Sequence, residues 1–240
     1  MQKILSRDDN CHQNNSTECK GYDGVQTVIG ITENHLVEVN FTTEHLMEYI
    51  FSPGNLNNAY LQVKRNAGAS GVDKMDVEEL LPYLRQHKEE LVKSLMQGTY
   101  RPNPVRRVEI PKDNGKKRQL GIPSVVDRVI QQAISQVLTL TYDRTFSNSS
   151  FGFRPKRSCH NALRKVQSYV NDGHKYAIDL DLEKFFDTVN HSKLIEVLSR
   201  TIKDNRLLSL IHKYLNAGVV VSNKFEETIL GVPQGGPLSP

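Results

Sequence analysis

The sequence predicts an α+β fold, mostly helical with one basic β-hairpin, and three patterns predict it. Apolar residues recur at helical spacing through most of the chain beyond about residue 44. Between them, Val-Arg-Arg-Val-Glu-Ile at 105–110 alternates as a strand, and Lys112-Asp113-Asn114-Gly115-Lys116-Lys117 is a turn that sends the chain back through 118–122. Further on, Tyr176-Ala177-Ile178-Asp179-Leu180-Asp181-Leu182 alternates strictly, the period of a strand with one apolar and one polar face.

Taken in order, residues 1–40 mix Asn, Asp, Ser, Thr and Gly without a sustained period and read as a poorly ordered leader. Two short helices follow, 44–50 and 56–63, separated by Ser52-Pro53-Gly54. After the Gly-Ala-Ser-Gly-Val-Asp turn at 68–73, one helix begins at 77–84 and another covers 88–96, which Gly98 stops. Pro102 and Pro104 exclude helix before the hairpin. Helix returns over 125–140, where Val126, Val129, Ile130, Ala133, Ile134 and Val137 form one stripe, and over 159–171, with Ala162, Leu163, Val166 and Val170 on the apolar face. Beyond the 176–182 strand, helices are predicted over 192–202 and 206–217. Gly218 ends the second, and a hairpin of 219–221 with 226–230 leads into Gly231-Val232-Pro233-Gln234-Gly235-Gly236-Pro237-Leu238-Ser239-Pro240.

Composition bounds the class. At 240 residues the chain has room for one large domain or two small ones, and 38% hydrophobic with 24% charged residues describes a globular protein, neither fibrous nor wholly disordered. No window reaches the roughly 18 to 20 apolar residues of a membrane helix, and the start turns polar before a signal core forms, so a cytoplasmic location without membrane contact is expected. Cys11, Cys19 and Cys159 make an odd count without zinc spacing, which fits a reducing compartment. The net charge of +4 is unevenly placed: residues 101–157 hold 12 Lys and Arg against 4 acids, and the remainder is net acidic. Such a block is either a face that meets phosphates or a solvated basic surface.

Three segments carry chemistry. Asp181 closes the alternating strand and is followed by Glu183, Phe185, Phe186 and Asp187; a carboxylate there holds a divalent metal or is a solvated turn former, and alone the second is commoner. Lys112 and Arg118 bracket the hairpin tip, where they lie over a triphosphate or merely keep a turn soluble. In Pro233-Gln234-Gly235-Gly236 the glycines allow close approach of a ligand to Gln234, or the segment is a plain surface turn.

These pieces stand in one order: RRVEIPKDNGKKRQLGIPSVVDRVIQQA, SFGFRPKRS, AIDLDLEKFFDTVNH, GVPQGGPLSP. Over about residues 44–240 the chain resembles the reverse transcriptase domain of group II intron-encoded proteins, the maturases. The resemblance implies the fingers of a right-hand polymerase at 41–174 and an incomplete palm, a ferredoxin-like sheet with helices, at 175–240. It makes Asp181 the first metal-binding aspartate, with the Leu182 carbonyl completing the shell of Mg²⁺, or of Mn²⁺ in its place. Phe186 becomes the bulky residue beneath the sugar, Lys112 and Arg118 the triphosphate contacts, and Gln234 the nucleotide-pocket glutamine. Arg128 and Arg154 are expected to shape the template and nucleotide channel. The implied partners are an intron RNA template, a DNA primer and a deoxynucleoside triphosphate.

The chain departs from the family pattern in one respect. No aromatic-small-Asp-Asp run follows the glutamine motif; the acids after Asp187 are Glu196, Asp204, Glu226 and Glu227. A palm with one of its carboxylates is expected not to polymerise alone, and to leave sheet edges and apolar surface uncovered. Three readings remain: an RNA-directed DNA polymerase represented by its first part, a non-catalytic RNA-binding module, or one half of a split enzyme completed by a C-terminal chain.

Overall fold

In a computed structural model of the chain, residues 43–111, 115 and 117–239 are described, with the backbone of 31–32 and 35–36. The predicted leader, 1–40, lies outside the described residues apart from β1 (Ile31–Thr32) and β2 (His35–Leu36), which pair antiparallel.

The interior is organised around α4 (Val125–Tyr142). Ser124 caps it, its hydroxyl accepting the Asp127 N–H at 3.1 Å. Val125, Val126, Val129, Ile130, Ala133, Ile134 and Val137 are all buried, so the helix is apolar around much of its circumference and serves as the central post. Against it lie α1 (Leu46–Ile50) and α2 (Pro53–Asn66), the latter locked by a polar clasp. Buried Asn55 donates to the carbonyls of Ile50 (2.8 Å) and Ala133 (3.0 Å), and the Gln136 amide donates to Asn55 Oδ1 at 2.6 Å. Each buried amide therefore has partners, and the clasp sets the register of α2 on α4.

The two helices expected at 77–84 and 88–96 are one, α3 (Val77–Met96), opened by a capping box of Asp76 with Glu79. The polar Arg85-Gln86-His87 gap in the apolar period is not a break; it is the outer side of a continuous helix, with the His87 ring 4.6 Å from that of Tyr83.

The basic hairpin forms as expected. β3 (Val105–Pro111) and β4 (Lys117–Ile122) pair antiparallel from Arg106 opposite Ile122 to Pro111 opposite Lys117. On the other edge of β3, β5 (Val219–Val221) lies parallel through Val105 and Val219, and β6 (Lys224–Glu226) closes a sheet of order β4-β3-β5-β6. The return strand expected at 226–230 arrives earlier because Ser222 and Asn223 both take left-handed φ, 48° and 64°, the geometry of a two-residue hairpin turn. Three helices follow the predicted pattern: α5 (Cys159–Asn171), α7 (His191–Thr201) and α8 (Asn205–Leu215), with the short α6 (Phe185–Thr188) before α7.

One expectation is corrected. Residues 176–182 are not a strand, and Tyr176, Ile178, Leu180 and Leu182 are exposed. Period-two alternation yields a strand only when a neighbour accepts its N–H and C=O groups, and among the described residues none lies beside it. The apolar face of α5, including Leu163 and Val166, is uncovered in the same way.

Asp127 joins these elements. Its carboxylate is fully buried and accepts from Tyr100 (2.8 Å) and Tyr214 (3.0 Å) on one oxygen, and from the Ser124 hydroxyl (2.7 Å) and the Asn103 N–H (3.1 Å) on the other. Burial pushes its pKa above the usual carboxylate range, and the four donors offset only part of that. A second acid, Asp204, links α1 to α8 by accepting from the Met47 N–H and the Arg206 guanidinium. Burial pushes Asp204 up, but Arg206 and Met47 outweigh it and hold the carboxyl below its ordinary value.

Removing the Asp127 carboxylate orphans four donors at once. Asp127→Ala is expected to cost about 3–5 kcal/mol in urea unfolding, against about 1 kcal/mol for Tyr214→Phe. The two acids respond to pH with opposite sign. Asp204, depressed in the fold, contributes stability that is present above the ordinary carboxylate pKa and is lost as pH falls below about 4. Asp127, raised in the fold, contributes a term that weakens as pH rises past that value. Asp204→Asn is expected to flatten the acid limb of a stability-against-pH profile, leaving the limb above it in place.

Candidate nucleotide and nucleic-acid site

The site is built where β4, the loop before α7 and the 231–236 segment meet. Arg118 stands exposed on β4, and its Nε and Nη2 donate to Gln234 Oε1 at 3.2 and 3.0 Å. Two residues singled out separately, 116 apart in the chain, are therefore in contact. The backbone rather than this bond sets their approach. The Gly121 N–H donates to the Gln234 carbonyl at 2.7 Å, and three glycines admit the contact. A Cβ on Gly121 would lie 2.9 Å from Pro233, one on Gly235 2.9 Å from the Gly121 carbonyl, and one on Gly236 2.5 Å from Gln131 Oε1. Gly235 also has φ +118°, a conformation that side chains resist. Chemically, the exposed guanidinium presents a planar fork suited to phosphate oxygens. Lys117 beside it is tied to Glu109 at 2.6 Å, and Lys112 lies outside the described residues.

Phe186 reaches the same place through backbone pairing. The Val232 N–H donates to the Phe186 carbonyl (2.7 Å), the Gly231 N–H to the Val189 carbonyl (2.8 Å), and Asn190 and Leu230 form an antiparallel bridge. Gly231, at φ +85°, allows this because a Cβ there would sit 2.9 Å from the Asp187 carbonyl. Phe185, Phe186, Val232, Pro233, Gly236 and Pro155 are among the walls of a cavity of about 570 Å³.

Asp181 and Leu182 do not join this arrangement. Both are exposed, in the unpaired 176–182 stretch, and among the described residues no three His, Cys, Asp or Glu side chains come close enough to hold a metal ion. One carboxylate and one backbone carbonyl on an unpaired stretch supply only two of the six oxygens of an octahedral Mg²⁺ shell and give no fixed site by themselves.

The remaining two arginines brace loops. The Arg154 side chain is only 7% exposed: Nε donates to Asp143 Oδ1 (2.7 Å), Nη1 to the Ser147 carbonyl (2.6 Å) and Nη2 to the Asp143 carbonyl (2.8 Å), with the guanidinium 5.5 Å above the Phe146 ring. The bond from Arg154 holds the Asp143 carboxyl below its ordinary pKa. Arg128 is buried, its Nη1 and Nη2 donating to the carbonyls of Ala67 (2.9 Å) and Ala69 (3.0 Å), and burial lowers its pKa. Arg106, which the sequence did not single out, donates from Nε and Nη2 to the Ser70 carbonyl. Two guanidiniums thus hold the 67–70 loop, and neither Arg128 nor Arg154 offers a free charge. His191 was also missed: its only visible signal was a place directly after Val189-Asn190, and its buried ring bonds to Gly231 and Asn216.

Comparison with known proteins gives the family. Residues 110–240 match the family described as Reverse transcriptase (RNA-dependent DNA polymerase). The chain is 36% identical over 211 residues to the Group II intron-encoded protein LtrA of Lactococcus lactis subsp. cremoris, covering 88% of this chain and 35% of that protein. It is 38% identical over 180 residues to Protein YkfC of Escherichia coli, covering 73% and 47%. It spans less than half the length of either relative. Among solved structures, a chain of the partial Cas6-RT-Cas1–Cas2 complex shares the fold at TM-score 0.54 and 24% identity, over 81% of this chain and 32% of that one. Among the described residues no helix is long and apolar enough to cross a membrane. With the motif order, the Arg118–Gln234 contact and the family match over 131 of 240 residues in agreement, the chain belongs to the reverse transcriptase (RNA-dependent DNA polymerase) family, in the company of group II intron-encoded proteins.

Proposed function

We propose that residues 41–174 are the fingers and 175–240 the first part of the palm of an RNA-directed DNA polymerase that acts on an intron RNA template with a DNA primer. The contact between Arg118 and Gln234, with Phe186 zipped to the same loop, carries this reading. It supports a pocket in which Arg118, with Lys112, takes the triphosphate of a deoxynucleotide. Gln234 borders the nucleotide, and Phe186 lies beneath the sugar. A guanidinium at an exposed strand position presents a planar fork that binds phosphate in two-point fashion. The 101–157 block supplies a salt-sensitive hold on the template that does not depend on its sequence.

The family works with divalent metal, and we assign Asp181 and the Leu182 carbonyl as part of a Mg²⁺ site, with Mn²⁺ as the alternative. Among the described residues the donors do not make a complete site. That favours a second reading for residues 1–240 taken alone: an RNA-binding module, or one half of an enzyme completed by a C-terminal chain.

Two measurements test these readings. Residues 1–240 are expected to bind RNA with an affinity that falls steeply with salt, and to bind a fluorescent deoxynucleoside triphosphate about tenfold more weakly after Arg118→Ala. Loss of RNA binding without loss of fold overturns the fingers assignment. In primer extension on an RNA template with Mg²⁺, the 240-residue polypeptide is expected to be inactive, and to gain activity when a chain carrying a Tyr-Ala-Asp-Asp segment is added. Incorporation by residues 1–240 alone that vanishes in Asp181→Ala overturns the expectation of inactivity.

A further inference from the structure

His191 opens α7 and is buried, with both ring nitrogens engaged. Nε2 lies 2.7 Å from the Gly231 carbonyl oxygen, and Nδ1 3.1 Å from Asn216 Oδ1, so both ring nitrogens face oxygen acceptors. A carbonyl only accepts, so Nε2 carries the hydrogen and donates it to Gly231. Asn216, at the end of α8, orients the ring from its other edge and is itself within 3.0 Å of the His212 ring.

The position of this bond gives it its consequence. The Gly231 N–H is taken by Val189 and its carbonyl by His191, so both polar groups of a residue at φ +85° are fixed by the segment that begins at Phe186. One residue later, Val232 bonds to the Phe186 carbonyl; two residues beyond that, Gln234 meets Arg118. Two side chains thus bond to the backbone of this stretch, His191 to the Gly231 carbonyl and Ser239, from beyond the loop, to the Pro233 carbonyl at 2.6 Å; His191 is the one that comes from the Phe186 side. A histidine serving only as core filler would leave the Gly231 carbonyl to a backbone donor or to water.

We propose that His191 is a positioning residue for sugar discrimination, which, by holding the Gly231 carbonyl, fixes the spacing between Phe186 and Gln234 and hence the room left for a ribose 2′-hydroxyl. The proposal rests on the nucleotide pocket described under Proposed function. It needs no contact between His191 and the nucleotide. Loss of the bond lets the 230–234 backbone move away from Phe186 and opens the sugar pocket.

The test compares incorporation of dTTP and UTP on a poly(rA) template by residues 1–240 together with the Tyr-Ala-Asp-Asp chain of the primer-extension assay, as the ratio of the two kcat/KM values, with the melting temperature of residues 1–240 read in parallel. His191→Phe, which keeps the ring and removes the donor, is expected to lower the deoxy-over-ribo ratio by about tenfold, mainly through KM. His191→Gln, whose amide N–H reaches the same carbonyl, is expected to restore most of it. A ratio unchanged in His191→Phe while the melting temperature falls overturns the proposal and leaves His191 a purely structural residue. Should His191→Phe fail to fold, Asn216→Ala releases only the ring's outer edge, and an unchanged ratio there overturns the proposal as well. A wild-type protein without preference for dTTP overturns the pocket assignment instead, so the two failures are distinguishable.

Discussion

The buried carboxylate of Asp127 is the constraint on which the rest depends. An ionised carboxylate left unpaired in an interior costs several kcal/mol, so a fold that keeps one must bring donors to it. Here they come from the exit of α3 (Tyr100), the entry to β3 (Asn103), the cap of α4 (Ser124) and the last turn of α8 (Tyr214). Satisfying one charge therefore fixes four chain segments relative to one another. The Pro123-Ser124 turn fixed in this way is packed so closely that a Cβ on Gly71 would lie 2.6 Å from Ser124, and Gly236 rests beside Pro123 and Gln131. The floor of the candidate site, where Gly236 rests on Pro123, inherits its position from a carboxylate that is not itself among the cavity's walls.

Magnitudes decide which contacts hold the pocket and which only display it. The Arg118–Gln234 pair is exposed, and such a bond contributes about 1 kcal/mol or less. The backbone bonds of Gly121, Gly231 and Val232, made where glycine permits near contact, together with the His191 bond to Gly231, hold the loop whether or not the Arg118 and Gln234 side chains meet. Arg118 is consequently free to exchange its glutamine partner for a phosphate without dismantling the loop. The bracing arginines are the reverse case: Arg154 spends its donors on Asp143 and Ser147, and a ligand would have to unfold the 143–154 loop to reach them.

Helices and the basic hairpin were legible because period and turn chemistry are local properties. The stripe of Val126, Val129, Ile130, Ala133 and Ile134 declares α4 wherever it packs, and Asn114-Gly115 sits between two runs of strand period. The 176–182 segment shows where locality ends: its alternation is stricter than that of 105–110, yet a strand needs a ladder partner, and among the described residues it has none. Arg128 and Arg154 show the same limit for function. Their charge is visible in the sequence, but the carbonyls of Ala67, Ala69 and Ser147 that absorb it are not. Gln234, Arg118 and Phe186 were found as separate motifs, and their juxtaposition depends on three glycines whose need is evident only once Gly121, Gln131 and Asp187 are seen against them.

The parallel pairing of Val105 with Val219 has a kinetic corollary. The β3–β4 hairpin closes over a short turn, whereas β5 joins its edge only after the whole chain between has been gathered, and non-local closures of this kind are slow. The 231–236 segment follows β5 and docks on β4 after it. By this topology the candidate site, built on the 231–236 segment, belongs to completion of the fold rather than to its nucleation.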